Sequence, residues 1–179
     1  MGLQHQIAII GIEDAKFTPD GGTATDIDKI EELNVDGDFA DFVVPGDNSI
    51  EIRELMTGKA TVKLKATSLD LDALAAFIGE TVEETGTSPD TIATLKIGRK
   101  LMPKGILEGQ GILIALKGTE TEPADVHFKI YNFSIDALPL PPMLTEAVSE
   151  ADFSGKAYPD ATAGATIEIT FNETKTAIG

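Results

Sequence analysis

The sequence predicts a mainly β protein, a β-sandwich or partly closed barrel with one flanking α-helix and long loops. Three observations carry that prediction. Several segments alternate apolar and polar residues with a period of two, as half-buried strands do. One segment alone, Leu71–Ile78, carries a clean helical stripe with start and stop signals at its ends. The chain is 42 % apolar and 25 % charged, which is usual for a folded domain and unlike a disordered one. Its 179 residues suit a single domain, 1–179, with a core large enough to need no covalent staples.

Ile7–Ile12 opens the chain as a short strand. Ala24–Val35 supports strand and helix equally: Ile27, Ile30 and Leu33 recur every third residue, yet β-branched residues are frequent. Phe39–Val44 and Ser49–Leu55 read as two further strands. Thr61–Thr67 alternates without a break, with Val62, Leu64 and Ala66 on one face and Thr61, Lys63, Lys65 and Thr67 on the other. The helix follows. Asp70 stands where an N-cap belongs, and Leu71, Leu74, Ala75 and Ile78 fall on one face. Leu69 and Leu74 are placed for a hydrophobic staple, and Gly79 sits at C′.

Glu80–Asp90 is polar and contains Gly86, Ser88 and Pro89, so it reads as a loop. Ala93, Leu95 and Ile97 form a short strand. Gly98–Gly111 reads as a second, glycine-bearing loop, and Ile112–Leu116 as a strand buried on both faces. In Val126–Ile135 the apolar parity changes from Val126, Phe128 and Ile130 to Tyr131, Phe133 and Ile135. One inserted residue has that effect, which predicts a β-bulge near Ile130–Asn132. Leu138–Pro142 has three prolines and reads as an extended connector rather than a central strand or a polyproline ligand. Ala165–Asn172 closes the chain as a strand.

Thirty acidic residues oppose fourteen basic ones, a net charge of −16. Such a surface repels nucleic acid and anionic membranes, which argues against a nucleic-acid-binding role. The charge is uneven: residues 1–52 carry −10, residues 53–117 carry +1 and residues 118–179 carry −7. Arg99, Lys100 and Lys104 cluster beside Gly98, Pro103 and Gly105. A solvated loop is the plain account of them. The sharper account is an inter-subunit contact, in which this basic loop meets the acidic surface of the next copy. Such contacts run head to tail and close into rings or extend into filaments.

The chemistry available is sparse. There is no cysteine, so disulfides and thiolate metal sites are excluded. His5 and His127 belong to no metal-ligand pattern, no GxSxG elbow occurs, and Gly98–Gly111 lacks a phosphate-binding lysine motif. In Asp36–Asp41, Gly37 separates the first two aspartates, so the register of an EF-hand fails, and acidic turn chemistry is the default account. Thirty acids supply paired carboxylates without specificity for glycoside hydrolysis. An enzyme is not expected, nor any cofactor. The N-terminal segment lacks a basic n-region, Ile7–Ile12 is too short for a membrane span, and Gln6 breaks the myristoylation pattern that Gly2 would start.

Three passages together resemble the tail tube (major tail) proteins of tailed bacteriophages. Thr61–Gly79 is similar to a strand followed by a short helix packed on the sheet, and Val126–Leu138 to a long late strand leading to a loop. Phe153–Asp160 followed by Ile167–Phe171 resembles the family's closing turn and last strand. The resemblance implies hexameric rings stacked into a hollow tube that carries DNA without binding it. It also implies contacts with tape measure, terminator and distal tail proteins, location in the virion tail, assembly in the bacterial cytoplasm, and no membrane insertion. Glu80–Asp90 and Gly98–Gly111 would then order against the neighbouring ring. The composition agrees independently: an acidic wall makes few phosphate contacts, so it does not hold the strand. Two other accounts share the strand pattern and charge, namely a monomeric β-sandwich binding or adhesion module and the tube of a type VI or other phage-derived secretion device.

Overall fold

The computed structural model describes residues 8–27, 30–45, 50–67, 71–98, 101–114, 125–137, 151–172 and 174–178. Along the chain lie β1 (Ala8–Pro19), β2 (Thr25–Asp26), β3 (Ile30–Pro45), β4 (Ile50–Ala66), α1 (Leu71–Ile78), β5 (Val82–Thr85), β6 (Ile92–Leu95), β7 (Gly105–Ile114), β8 (Asp125–Ile135), β9 (Ala151–Ala157) and β10 (Ile167–Asn172). The protein is mainly β, as the sequence predicts, and Ala24–Val35 resolves to strand rather than helix at β2 and the start of β3.

One large antiparallel sheet runs β2-β1-β7-β8-β9-β4-β3, with β10 paired to β8, while β5 and β6 pair only with each other. β8 joins the two halves. Along its length it pairs with β10 from Asp125 to Ile130 and then with β9 at Ser134 and Ile135. The exchange coincides with the predicted bulge. Leu107 pairs with Ile130 and Gly105 with Phe133, leaving one extra residue on β8, and Asn132 takes a positive φ of 47°. Asparagine tolerates that region better than most residues, and its Nδ2 donates to the Pro159 carbonyl at 3.0 Å. The sheet curls so that β3, at one end of the order, lies against β1 near the other.

The core fills the curl. Val62, Leu64 and Ala66 of β4 are buried as their alternation predicts, and so are Val126 and Ile130 before the bulge and Phe133 and Ile135 after it. The predicted helix has the predicted bounds and buries Leu74, Ala75 and Ile78. It also buries Phe77, whose ring meets Phe17 of β1 at 4.6 Å, Phe153 of β9 at 5.1 Å and Phe133 of β8 at 6.1 Å between centroids. The helix ends in a Schellman turn. Gly79 takes φ 69°, its N–H bonds the Ala76 carbonyl at 3.3 Å, and the Glu80 N–H bonds that of Ala75 at 2.9 Å. The proposed cap Asp70 and staple residue Leu69 lie outside the described residues, as does the Leu138–Pro142 connector.

Several loops and boundaries differ from expectation. Glu80–Asp90 is not a plain loop, because Val82–Thr85 pairs with Ile92–Leu95 across the turn. That hairpin is almost wholly exposed, so it shows no apolar alternation to betray it. Ile97, placed in a strand from sequence, lies beyond β6. Gly98–Gly111 is a loop only at its start, since β7 begins at Gly105. Gly105, Leu107, Gly109 and Gly111 are all buried at alternate positions, and the glycines leave room for rings and branched side chains opposite. A methyl group on Gly105 would strike the Phe17 ring, and one on Gly155 of β9 the Phe133 ring. Asp36–Asp41 forms part of β3 rather than an acidic turn. β4, Ile50–Ala66, joins into one strand the two predicted at Ser49–Leu55 and Thr61–Thr67, and β1, Ala8–Pro19, extends the strand predicted at Ile7–Ile12.

Phe77→Ala should lower unfolding free energy by about 3–5 kcal/mol, the usual cost of emptying a well-packed aromatic site. With a urea slope of about 2 kcal/mol/M, the denaturation midpoint should fall by roughly 1.5–2.5 M.

Candidate functional site

Of the three cations predicted to meet a neighbouring subunit, Arg99 and Lys100 lie outside the described residues. Lys104 is exposed on the segment leading into β7, and its Nζ stands 5.6 Å from the centre of the Tyr158 ring. An exposed cation–π contact of this kind is worth about 0.5–1 kcal/mol and leaves the ammonium hydrated. It is therefore turned toward its own subunit's aromatic ring, at the exit of β9.

Two ribbons pair with no third strand among the described residues. The first is the far part of the β3–β4 pair. β9 accompanies β4 only from Ala60 to Ala66, whereas β3 and β4 continue through seven further pairs, from Phe39–Met56 to Pro45–Ile50. At a rise of about 3.4 Å per residue that is a two-stranded arm of about 20 Å. An irregularity between Gly37 and Phe39 marks its base. There Gly58 adopts φ 76°, and a side chain at Gly58 would strike Pro159 at 2.6 Å. The Thr166 hydroxyl donates to the Gly58 carbonyl and pins the base to the turn before β10.

The second ribbon is the β5–β6 hairpin. Val82 and Leu95 at its open end are half-buried, and Leu95 packs on the core. Beyond them the strand side chains are exposed, with a Glu83–Lys96 ion pair at 2.5 Å on one face. Ile92 is 63 % exposed, Ile97 45 % and Leu101 91 %. Among the residues whose exposure is described, three of the four exposed large hydrophobics thus fall within ten residues on this ribbon and its exit; the fourth, Ile169 on β10, is 55 % exposed. An isolated two-stranded ribbon is marginal in water, and apolar groups on it raise the value of a covering surface.

The sequence gives no sign of a third feature, the seat of the C-terminal segment. Asp125 at the start of β8 is buried, and its Oδ2 accepts the Thr176 N–H at 3.0 Å. His127 Nε2 lies 2.7 Å from the same oxygen and 3.0 Å from the Thr176 carbonyl. Both neighbours accept, so Nε2 carries the proton. Lys16 Nζ donates to the Ile178 carbonyl at 2.6 Å, Lys175 pairs with Glu13 at 2.6 Å, and the Ile178 side chain is buried. Asp125 Oδ1 is the one buried side-chain polar atom without a partner among the described residues.

On the exposed face of β8 and β10, Tyr131 donates to Glu168 at 2.6 Å, and Lys129 stands 5.8 Å over the Tyr131 ring. Among the described residues, no three histidine or acidic side chains are grouped to hold a metal ion, and no helix is long and apolar enough to cross a membrane. No protein-family model matches the chain, and no curated protein matches its sequence.

Two outcomes follow from this geometry. The Tyr131 hydroxyl is pushed up from 10.0 to about 12, first by its hydrogen bond to Glu168, then by burial and by the acids nearby. The folded state thus holds that proton longer than the unfolded chain. Its contribution is complete below pH 10 and is lost as pH rises from 10 through about 12. Absorbance at 295 nm should show one late tyrosinate, shifted back toward 10 in Glu168→Gln. Separately, Asp125→Ala should cost about 1–3 kcal/mol by orphaning the Thr176 amide. It should also expose the C-terminal residues to carboxypeptidase well before global unfolding.

Proposed function

We propose that the chain is a structural protein that self-assembles into stacked, hexameric rings forming a phage tail tube, an acidic conduit for DNA. The observation that carries this reading is the pair of two-stranded ribbons without a third strand on an otherwise wider curled sheet, the β3–β4 arm of about 20 Å above all. Ladders of this kind gain stability when a second surface covers them, and a second copy is the surface always present at high local concentration. The layout that resembles tail tube proteins supports the same reading: a strand and short helix closing on a sheet, then a late strand entering a turn and a last strand.

The charge of −16 fits the role of a conduit. A tube wall that bound phosphates would release counterions and retard the duplex, whereas an acidic wall repels it. No residue is assigned a catalytic role, and the partners are other copies and the neighbouring tail proteins, namely tape measure, terminator and distal tail proteins. Assembly would take place in the bacterial cytoplasm, with the finished tube in the virion.

Purified protein at high concentration should form rings or tubes with a central channel under negative stain, and should show no measurable affinity for duplex DNA at physiological salt. A species that stays monomeric at every concentration would favour a β-sandwich binding module and remove the tube reading.

A further inference from the structure

Residues 174–178 form no strand, yet they are fastened across the sheet as a strap. β10 pairs with β8, β8 with β7 and β7 with β1, so a chain leaving β10 at Asn172 crosses β8 and β7 to reach β1. With strands about 4.8 Å apart, that path is about 14 Å long. It is hooked to both of the strands it joins. On β8, Asp125 accepts the Thr176 N–H at 3.0 Å, and His127 Nε2 stands 3.0 Å from the Thr176 carbonyl. On β1, Lys16 donates to the Ile178 carbonyl at 2.6 Å, and Glu13 pairs with Lys175 at 2.6 Å.

The seat belongs to the sheet itself. The β1–β7 ladder steps from Ile12–Gly111 to Asp14–Gln110 and leaves Glu13 as an extra residue on β1. A bulge of this kind re-aims one side chain, and this one meets Lys175. What the seat reads is mostly main chain. Three of its four polar hooks fall on the N–H or C=O groups of Thr176 and Ile178, and the buried Ile178 side chain is the apolar anchor. A short extended peptide held in this way is recognised whichever copy supplies it. The attachment to its own subunit is light. It adds no strand ladder, it orders five residues for one buried apolar side chain, and it leaves Asp125 Oδ1 buried without a partner.

We propose that this seat is an exchange site, and that in the assembled protein the strap of one copy lies on β8 and β1 of the next. A second copy is the fitting partner because its strap has the same sequence and brings the same contacts, so no new surface has to be complementary. Asn172 ends β10 and Lys175 already touches Glu13, so the link that redirects the strap is two residues long. So short a link leaves no slack: β10 of the donor must lie close beside the seat of the receiver. Strap and seat are different surfaces, so the contact is heterologous, and it closes into a ring or runs on from copy to copy. The proposal rests on the self-assembly reading above and names a contact that assembly uses.

The test uses the absence of cysteine from the full chain. Glu13→Cys and Lys175→Cys are made as two single variants at exposed positions, and thermal melts confirm that each is folded. The two are mixed, assembled and treated with a short bismaleimide. Covalent dimers of one variant with the other should form at least about tenfold faster than in the same mixture diluted below assembly, because exchange sets the two thiols at a high effective concentration. A further substitution separates exchange from mere proximity. Asp125→Ala placed in the Glu13→Cys copy removes a hook from the receiving seat, and should lower the cross-linking by at least about fivefold. The same Asp125→Ala placed in the Lys175→Cys copy leaves that seat whole and should change little. If the mixture assembles without faster cross-linking, or if Asp125→Ala acts equally in either copy, the strap stays on its own subunit, and the tube reading still stands. If wild type itself never assembles, the tube reading and the exchange fall together.

Discussion

The packing of Phe77 is the constraint on which the architecture rests. Its ring is delivered by the only helix among the described residues and touches rings from β1, β8 and β9. These strands belong to both halves of the curled sheet. The helix therefore wedges the curl open to a fixed width while closing its interior to water. Glycines at 105 and 155 serve the same cluster from the other side, since any larger residue would occupy the space of Phe17 or Phe133. A sheet that bends this far needs such gaps, because inward side chains converge where the curvature is greatest.

β8 converts that wedge into a two-sided body. Its bulge at Asn132 turns the inward parity from Ile130 to Phe133 and lets one strand serve two partners in succession, β10 and then β9. This feature was legible in the sequence, since the side-chain period is two and an inserted residue leaves a visible change of phase. The helix was legible for the same reason. Leu71, Leu74, Ala75 and Ile78 mark a face, and Gly79 marks the stop with a conformation few other residues adopt.

What could not be read has a common cause. Periodicity reports burial, so elements without a buried face leave no trace in it. The β5–β6 hairpin is exposed, and its polar residues look like those of any loop. β7 is the converse: its inward face is three parts glycine, which composition assigns to loops although the positions are buried. The length of β3 and β4 was hidden because acids and a glycine interrupt the alternation at the base of the arm. The seat formed by Asp125, His127 and Thr176 joins residues far apart in the chain, and no local pattern encodes such a meeting. The predicted basic loop fared differently, as Lys104 alone is placed and it faces Tyr158.

The irregular base of the arm at Gly58 separates the length of the ribbon from the packing of the core. Matched changes of length on its two strands leave the pairing of Leu33 with Leu64 and of Val35 with Val62 untouched, so Val62 and Leu64 stay in the core. Pro159 and Thr166 hold its root through the close fit around a single glycine.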